Sequence, residues 1–344
     1  MKIEKIDGNF KVESSIKRDG IKFFDAKEKP FKVCGLMRDG GRYVRMPQGV
    51  AASVNDGVKD LNSCTAGGRV RFVTDSPYVA VAVKYNVMYR MPHCADTGSV
   101  GFDLYADDLY AGTFIPRGTD TLESVIDLPE TGAHTMTIHF PLYGGVDELF
   151  IGLKEDATLL PPPDYRTEKP VVFYGSSITQ GGCASRPGNA YDNIISRILS
   201  CDHVNLGFSG SARGEKEIAE YIASLDMSAF IFDYDHNAPN PEHLEKTHEP
   251  MFRVIREAHP DLPVIMLSRP NYHLDGNGIR RMEIIRRTYE NAVAAGDKNV
   301  YFIPGPELIE ERIRECATVD GSHPNDSGFV SMAYAVEKVL KNVL

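Results

Sequence analysis

Three residues of the chain stand in local sequences that suit nucleophilic acyl-transfer chemistry. Ser177 follows the apolar run 171–174 within the turn sequence Gly-Ser-Ser-Ile-Thr-Gln-Gly, and Asp320 and His323 share the segment Val-Asp-Gly-Ser-His-Pro at 319–324. A serine hydroxyl can attack an ester when a neutral imidazole accepts its proton, and a carboxylate can hold that imidazole in one tautomer. Residues i and i+3 of a turn can share a face, so Asp320 and His323 can act as a pair. The pattern predicts a catalytic triad of Ser177, His323 and Asp320.

Donors for the negative oxygen of a tetrahedral intermediate can come from three positions. They are the backbone amide of Ser177, the backbone amide of Gly210 in Asn-Leu-Gly-Phe-Ser-Gly (205–210), and the side-chain amide of Asn237 in Phe-Asp-Tyr-Asp-His-Asn (232–237). Each position also has an ordinary structural interpretation: a helix N-cap for Ser177, a turn glycine for Gly210 and an Asx-turn for Asn237. Their occurrence together favours an oxyanion hole, in which the loss of one donor costs about 100- to 1000-fold in rate.

Three further residues are candidates for substrate contacts. Asp235 and His236 directly precede Asn237 and are expected to line the acyl or alcohol pocket. Tyr143, in Pro-Leu-Tyr-Gly-Gly (141–145), is expected to reach the site from a flexible loop at 140–147.

A different use of some of these residues is a hydrolytic metal site. Carboxylates and imidazoles bind manganese, zinc and iron, and the candidate ligands are Asp233, Asp235, His236, Asp320 and His323. The chain has no His-Glu-x-x-His motif to support this hypothesis. The sequence therefore predicts no metal and no cofactor.

The elements that must position these residues change in character near residue 160. After residue 170, short apolar strands alternate with segments of helical periodicity, which is typical of an α/β fold with a parallel sheet covered by helices on both faces. Strands are predicted at 171–174, 203–206, 229–233, 263–267 and 299–303, and helices at 189–200, 215–225, 242–258, 278–295 and 326–343. Because loops at the carboxyl ends of neighbouring parallel strands converge, the loops that carry Ser177, Gly210, Asn237 and His323 are expected to meet.

The part of the chain before residue 160 has a strand-like pattern. Alternating runs with turn residues between them recur at 69–74, 78–84, 100–105, 109–115, 124–128 and 134–140. This spacing predicts an all-β sandwich or jelly roll. The sequence Leu-Leu-Pro-Pro-Pro-Asp at 159–164 is stiff and extended, which indicates a linker. The predicted domains are a β-sandwich at 1–158 and a catalytic domain at 170–344, joined by a proline-rich linker at 159–169.

Four segments resemble, in the right order, the signature blocks of the SGNH (GDSL) hydrolases. Gly-Ser-Ser-Ile-Thr-Gln-Gly resembles the first block, Asn-Leu-Gly-Phe-Ser-Gly the second, Asp-His-Asn-Ala-Pro the third and Asp-Gly-Ser-His-Pro-Asn the last. The resemblance covers about residues 171–340. It implies a flavodoxin-like sheet, with Ser177, Gly210, Asn237 and His323 as the four signature residues and Asp320 as the third member of the triad.

A second resemblance concerns the β domain. Gly-Phe-Asp-Leu-Tyr at 101–105 resembles the G-x-D-L-Y signature of a domain that precedes some bacterial SGNH hydrolases. A jelly roll ahead of such a hydrolase domain is also similar to certain carbohydrate esterases, which remove acetyl groups from polysaccharides.

Two positions depart from the family pattern. The first block usually has Asp where this chain has Ser176, and the third usually begins Gly-x-Asn-Asp where this chain has Asp-His-Asn-Ala-Pro at 235–239. The missing carboxylate of the first block is usually supporting, so a local rearrangement is expected, with activity retained.

Composition restricts the partners and the compartment. The chain has 344 residues and a formal net charge of −10 with no basic patch, which argues against nucleic acid and anionic membranes as partners. No run approaches the roughly 20 apolar residues of a membrane span. The first 20 residues lack the apolar segment of a signal peptide, so the protein is expected to be cytoplasmic, or exported with its leader removed. The six scattered cysteines are expected to be reduced thiols.

These features predict a serine esterase that hydrolyses short-chain O-acyl esters, in particular acetyl esters of a carbohydrate. A lipase or thioesterase, an acyltransferase on the same scaffold, and a glycan-binding protein with an inactive hydrolase domain are the alternatives. The carbohydrate preference rests on the resemblance alone, because nothing in the sequence fixes the acyl chain or the alcohol. The oligomeric state is left open.

Overall fold

The computed structural model of the protein describes residues 14–128, 132–270 and 275–344. Its first part is built from antiparallel strands. In chain order they are β1 (Ile21–Asp25), β2 (Lys32–Cys34), β3 (Met37–Asp39), β4 (Arg42–Val44), β5 (Arg69–Thr74), β6 (Tyr78–Met88), β7 (Phe102–Ala106), β8 (Leu109–Phe114), β9 (Thr121–Asp127), β10 (His134–His139), β11 (Gly144–Lys154) and β12 (Leu159–Leu160).

Two of the sheets in this part pack on each other as a sandwich. One has the order β1-β11-β6-β9, and the other has the order β12-β5-β10-β7-β8 with β2 paired to β5. Along β6, Val79, Val81 and Val83 enter the shared core, where they meet Phe72 and Ile138 of the facing sheet. Alternate β-branched residues on one face of a strand favour this kind of packing.

The second part of the chain contains a parallel sheet of five strands. They are β13 (Val171–Gly175), β14 (His203–Gly207), β15 (Ala229–Asp233), β16 (Val264–Leu267) and β17 (Val300–Ile303), in the spatial order β14-β13-β15-β16-β17. All residues of β13, β15 and β16 are buried, as expected for strands that are covered on both faces. The strand order reverses at β13, which makes the carboxyl ends of β13, β14 and β15 the expected place for a site.

Helices cover both faces of the parallel sheet. The helices in chain order are α1 (Gln48–Val54), α2 (Asp56–Leu61), α3 (Asp96–Ser99), α4 (Ser177–Gln180), α5 (Tyr191–Leu199), α6 (Lys216–Ala223), α7 (Pro241–Ala258), α8 (Gly276–Ala294), α9 (Gly305–Leu308) and α10 (Asp326–Leu340), with 3₁₀ turns at Pro187–Asn189 and Glu311–Cys316. Helices α6, α7 and α8 pack on one face and α5 and α10 on the other. The structure confirms the predicted fold class, an α/β sheet of flavodoxin-like order preceded by a β-sandwich.

The β-rich part and the parallel-sheet part pack directly against each other. Met46, Ala51 and Val58, from α1, α2 and the turn before them, join the core beneath α6. On the opposite face, Leu142 and Tyr143 join the core beneath α4, α5 and α10. Each face of the parallel sheet is thus completed by residues from the β-rich part.

Two segments differ from the prediction. Helices α1 and α2 fall in a region predicted to be all β, and both are too short to show a clear helical period. The predicted loop at 140–147 runs into β11, a central strand whose register shifts between Gly145 and Val146. Glycine is a poor strand former, which hides the start of β11 in the sequence. No helix within residues 14–128, 132–270 and 275–344 is long and apolar enough to cross a bilayer.

Candidate active site

Ser176 and Ser177 lie in a tight turn between β13 and α4. The Ser176 hydroxyl accepts a hydrogen bond from the Ile178 amide at 3.1 Å and so caps α4, which begins at Ser177. Ser176 is fully buried, and its Oγ lies 3.4 Å from Oδ1 of Asp233. A Cβ at Gly175 would lie 2.5 Å from the Asp233 carbonyl oxygen, so only glycine fits there. The N-cap interpretation therefore applies to Ser176 and leaves Ser177 free to face the site.

Ser177, His323 and Asp320 form a continuous hydrogen-bonded row. Ser177 Oγ is 2.8 Å from His323 Nε2, and His323 Nδ1 is 2.8 Å from Asp320 Oδ2. The other carboxylate oxygen of Asp320 accepts hydrogen bonds from the amides of Ser322 at 3.0 Å and His323 at 2.8 Å. This turn places residues 320 and 323 on the same face, as their spacing predicts.

The electrostatics of Asp320 favour a positive charge on the imidazole. Burial raises the pKa of Asp320, but the hydrogen bonds from the His323 amide and ring and from the Ser322 amide outweigh burial and lower the pKa to about 2. The carboxylate is therefore ionised at any ordinary pH. An ionised Asp320 can stabilise a positive charge on the imidazole of His323.

Gly210 and Asn237 lie on neighbouring turns beside α4. The Asn237 side chain donates to the Phe208 carbonyl at 2.9 Å, which fixes it against the turn that carries Gly210. Gly210 has a φ of +67°, a left-handed conformation that favours glycine. The Ser209 amide donates to Oε1 of Gln180 at 2.9 Å, and this bond attaches the turn to α4. The loops after β13, β14 and β15 thus meet at one edge of the sheet.

Asp235 and His236, which were both predicted to contact the substrate, have different surroundings. Asp235 is buried, its Oδ2 accepts a hydrogen bond from the Arg269 amide at 3.1 Å, and burial raises its pKa to about 6. Within the described ranges, the buried Nε2 of His236 has no hydrogen-bond partner; burial lowers the pKa of this ring, and the charges of Arg269 and His323 lower it further. His236 is thus close enough to His323 for their charges to interact, whereas the Asp235 carboxylate faces the backbone after β16.

Tyr143 reaches the site, but as a buried residue of an ordered turn. Its amide donates to the Ser99 carbonyl at 2.8 Å, and its carbonyl accepts from the Tyr89 amide at 3.0 Å. A Cβ placed on Gly182 would lie 2.9 Å from the Tyr143 hydroxyl and 3.0 Å from the Ser177 carbonyl oxygen. Tyr143 therefore forms part of the floor of the site, where burial raises its pKa.

Three neighbours of the site are not among the predicted catalytic, oxyanion-hole and substrate-binding residues. Gln180 connects the Ser209 amide to the Leu142 carbonyl, to which its Nε2 donates at 3.1 Å. Asp233 lies beneath Ser176, and its burial together with the charge of Asp235 raises its pKa to about 8. The ring of His93 lies 5.8 Å from that of His323. His93 comes from the β-rich part, far from the signature blocks in sequence.

In the part of the chain that the structure describes, the ligands of the alternative metal site do not come together. Within the described ranges of the chain, the carboxylates of Asp233 and Asp235 and the His236 ring do not converge on a point that could hold an ion. The hydrogen-bonded row of Ser177, His323 and Asp320 instead has the geometry in which a hydroxyl, an imidazole and a carboxylate can act as nucleophile, base and orienting group.

Comparison with protein families accounts for almost the whole described chain. The model of the GDSL-like lipase/acylhydrolase family matches residues 168–341. The chain belongs to this family. A second model, for the N-terminus of Esterase_SGNH_hydro-type proteins, matches residues 21–159. Membership of the GDSL-like family makes the protein an ester-hydrolysing enzyme and confirms both resemblances seen in the sequence.

Solved structures share the fold of this GDSL-like enzyme over both parts. A GDSL-like lipase candidate from Bacteroides ovatus is 31% identical, with a TM-score of 0.84 over 94% of this chain and 98% of its own. A salicylyl-acyltransferase from a tetracycline biosynthetic pathway is 21% identical, with a TM-score of 0.78 over 95% and 99%. An acetyl xylan esterase from Butyrivibrio proteoclasticus is 13% identical, with a TM-score of 0.60 over 94% and 98%. Among curated protein sequences, none matches this chain.

Proposed function

We propose that this enzyme is a serine esterase that removes short acyl groups, in particular acetyl groups, from a carbohydrate. The observation that carries the proposal is the row of hydrogen bonds in which Ser177 Oγ lies 2.8 Å from His323 Nε2 and His323 Nδ1 lies 2.8 Å from Asp320. This is the geometry that serine hydrolases of unrelated folds share.

The reaction begins when the Ser177 hydroxyl attacks the ester carbonyl and its proton passes to His323 Nε2. The tetrahedral oxyanion accepts hydrogen bonds from the amides of Ser177 and Gly210 and from the Asn237 side chain. One N–H of that side chain donates to the Phe208 carbonyl, which leaves the second for the oxyanion. The intermediate collapses when His323 returns the proton to the leaving alcohol. Water then releases the acyl group from Ser177 by the same steps.

Packing beneath the nucleophile supports a short acyl group. A Cβ at Gly181 would meet Leu142 Cδ2 at 2.9 Å, and one at Gly182 would meet the Tyr143 hydroxyl at 2.9 Å. Leu142 and Tyr143 therefore fill the space under α4 and limit the depth of the site on that side. The carbohydrate part of the proposal draws on the acetyl xylan esterase, which shares both parts of the fold.

A panel of p-nitrophenyl esters from acetate to palmitate, with acetylated oligosaccharides alongside, tests the substrate. We expect the highest kcat/KM with acetate, release of free acetate from the oligosaccharides, and loss of activity after treatment with a serine-directed phosphonate but not with a chelator. A preference for palmitate would contradict the short-chain proposal. Transfer of the acyl group to an added alcohol, with no free acid formed, would identify an acyltransferase.

A further inference from the structure

A group of metal-binding side chains lies beside the proposed general base. His93 and Cys94 belong to the segment between β6 and α3, and Cys183 follows α4. Ligand atoms of His93, Cys183 and His323 all lie within 4.8 Å of one another. The Sγ atoms of Cys94 and Cys183 are 3.5 Å apart. We call His93, Cys94 and Cys183 the rim cluster.

We propose that the rim cluster and His323 together bind a zinc ion, and that the bound ion switches the esterase off. The inhibitory part of this inference rests on the proposed role of His323 as general base. The three residues of the rim cluster have no part in the proposed ester hydrolysis, so zinc binding is a separate property of the site.

The donor set and its spacing suit zinc. Imidazole nitrogen and thiolate sulfur are the usual ligands of tetrahedral zinc, with Zn–N about 2.0 Å and Zn–S about 2.3 Å. These lengths place two sulfur ligands about 3.8 Å apart, and Cys94 and Cys183 are 3.5 Å apart before any ion binds. The three atoms that lie within 4.8 Å of one another must approach by about 1 Å, and Cys94, which is outside this group of three, must also turn its Sγ toward the imidazoles. Rotation of the exposed His93 side chain and of the half-buried Cys94 side chain can supply these movements. Magnesium and calcium prefer carboxylates and carbonyls, and these four side chains offer neither.

His323 is already oriented as a metal ligand. Its Nδ1 faces Asp320, and histidines that bind metals usually direct their second nitrogen to a carboxylate in this way. Its Nε2 faces Ser177 at 2.8 Å. The lone pair on Nε2 that accepts the Ser177 proton is also the lone pair that binds the ion, so the two uses exclude each other. Each thiol that becomes a ligand releases its proton to solvent, and no other reactant is consumed.

The backbone at Cys183 gives independent support. Its φ is +75°, in the left-handed region where a residue other than glycine is strained. Its side chain is buried against Cys94. Strain of this kind is concentrated at functional sites, because the surrounding structure must maintain it. Glycine would be less strained at position 183. The chain nevertheless has a cysteine there, which places a thiol at the edge of the site.

Zinc titration of the full, reduced protein tests the proposal. Hydrolysis of p-nitrophenyl acetate is followed with increasing ZnCl₂ for the wild type, Cys183→Gly, His93→Ala and Cys316→Ser, an exposed cysteine outside the rim cluster that serves as the matched control. Basal activity should be unchanged in all variants. We expect micromolar zinc to inhibit the wild type and Cys316→Ser, with recovery on adding EDTA. Cys183→Gly and His93→Ala should each need at least about tenfold more zinc. Equal zinc sensitivity in all four proteins would overturn the proposal.

Cobalt binding tests the site without using activity. Co²⁺ is titrated into Ser177→Ala, which keeps the four proposed ligands, and into the double variant that also carries Cys183→Gly. We expect an absorption band from thiolate-to-cobalt charge transfer in Ser177→Ala and its loss in the double variant. Because this measurement needs no turnover, it stands even if the esterase proposal fails. The absence of the band in Ser177→Ala would exclude the rim cluster as a metal site.

Discussion

At the scale of single residues, two adjacent serines have different surroundings. The Ser176 hydroxyl is buried, caps α4 and lies beside Asp233, whereas the Ser177 hydroxyl lies 2.8 Å from an imidazole. The family usually has a carboxylate at position 176. In this protein Oδ1 of Asp233, at the end of β15, lies 3.4 Å from the Ser176 hydroxyl, so a carboxyl group of the neighbouring strand is present beside that position.

Substitution of each serine separates the two roles. We expect Ser177→Ala to lower kcat by on the order of 10⁴-fold or more with an unchanged melting temperature, because only the attacking oxygen is lost. Ser176→Ala should keep most of the activity and lose about 1 kcal/mol of stability, since it removes a helix cap. Ester hydrolysis and thermal unfolding measure both effects. An active Ser177→Ala with an inactive Ser176→Ala would show that the nucleophile is wrongly assigned.

Asp320 and His323 should differ in the size of their effects. In the proposed mechanism, His323→Ala removes the group that moves the proton, whereas Asp320→Asn removes only the group that orients the imidazole and stabilises its charge. We expect Asp320→Asn to remain at least about tenfold more active than His323→Ala. Single-turnover rates of the two variants provide the measurement. An equal or larger loss in Asp320→Asn would contradict this division of roles.

The buried Asp233 should make stability depend on pH. Its pKa is about 8 in the folded protein and 3.8 when unperturbed, so between these values the folded state holds a proton that the unfolded state releases. Stability is therefore lost as the pH rises, with a slope on the order of 1 kcal/mol per pH unit. In Asp233→Asn this loss should disappear. The melting temperature of the variant relative to that of the wild type should therefore rise from pH 5 to pH 8. A constant difference between the two proteins would show that Asp233 is already ionised in the folded state.

At the scale of elements, the sequence predicts what local patterns encode. Every strand and helix predicted after residue 170 is present, with ends shifted by at most three residues, because apolar periodicity marks buried strands and amphipathic helices. The loops that carry Ser177, Gly210 and Asn237 follow predicted strands, and the loop that carries His323 precedes a predicted helix. The same periodicity therefore predicts the positions of these loops. The position of His93 beside His323 and the burial of Tyr143 in an ordered turn depend on packing between distant parts of the chain, which no local pattern encodes.

The end of β14 depends on an arginine from another part of the chain. Arg45 is buried, donates to the Leu61 carbonyl at 2.6 Å and to the Gly207 carbonyl, and lies over the Phe208 ring. Burial lowers its pKa only to about 10, so it stays charged at neutral pH. Gly207 and Phe208 lead directly into the turn with Gly210. Arg45 thus holds a proposed oxyanion donor in place from below.

Replacing Arg45 should affect stability and activity together. We expect Arg45→Met to cost about 2 kcal/mol, because buried carbonyl groups lose their donor, and to lower kcat on the order of tenfold as the Gly210 turn shifts. Chemical denaturation and steady-state kinetics measure the two effects. Arg42→Met is the matched control, since Arg42 is nearly half exposed and its guanidinium lies 3.7 Å from Asp147. A normal kcat in Arg45→Met would show that the turn holds its position without the arginine.

At the scale of the whole molecule, a buried polar network joins the two parts. Arg69 of β5 donates to the His203 carbonyl at 3.1 Å, and His203 Nε2 lies 3.2 Å from Asp192 of α5. Asn205 connects Asp192, at 2.7 Å, to the Thr179 carbonyl of α4, at 2.6 Å. All four polar side chains in this row are fully buried. Buried polar groups that lose their hydrogen-bond partners destabilise the folded protein, so the two parts depend on each other for stability.

The fragment 165–344 tests this dependence. Without the β-rich part it loses Arg69 and Arg45 and exposes the apolar surface that Leu142, Tyr143, Met46 and Val58 cover. We expect it to aggregate, and any soluble fraction to lose more activity on acetylated oligosaccharides than on p-nitrophenyl acetate. Size-exclusion chromatography and the two assays provide the readout. A monomeric fragment with full activity on both substrates would show that the two parts work independently.

The contact of Leu142 with Gly181 has a consequence for how such enzymes diversify. Leu142 lies under the turn that carries Ser177, and its carbonyl is held by Gln180, yet it belongs to the β-rich part of the chain. Substitutions at Leu142 can therefore reshape the proposed space for the acyl group while the proposed catalytic residues stay unchanged. Selection for a new ester, in nature or in the laboratory, can act on one part of the protein while the chemistry is inherited intact in the other.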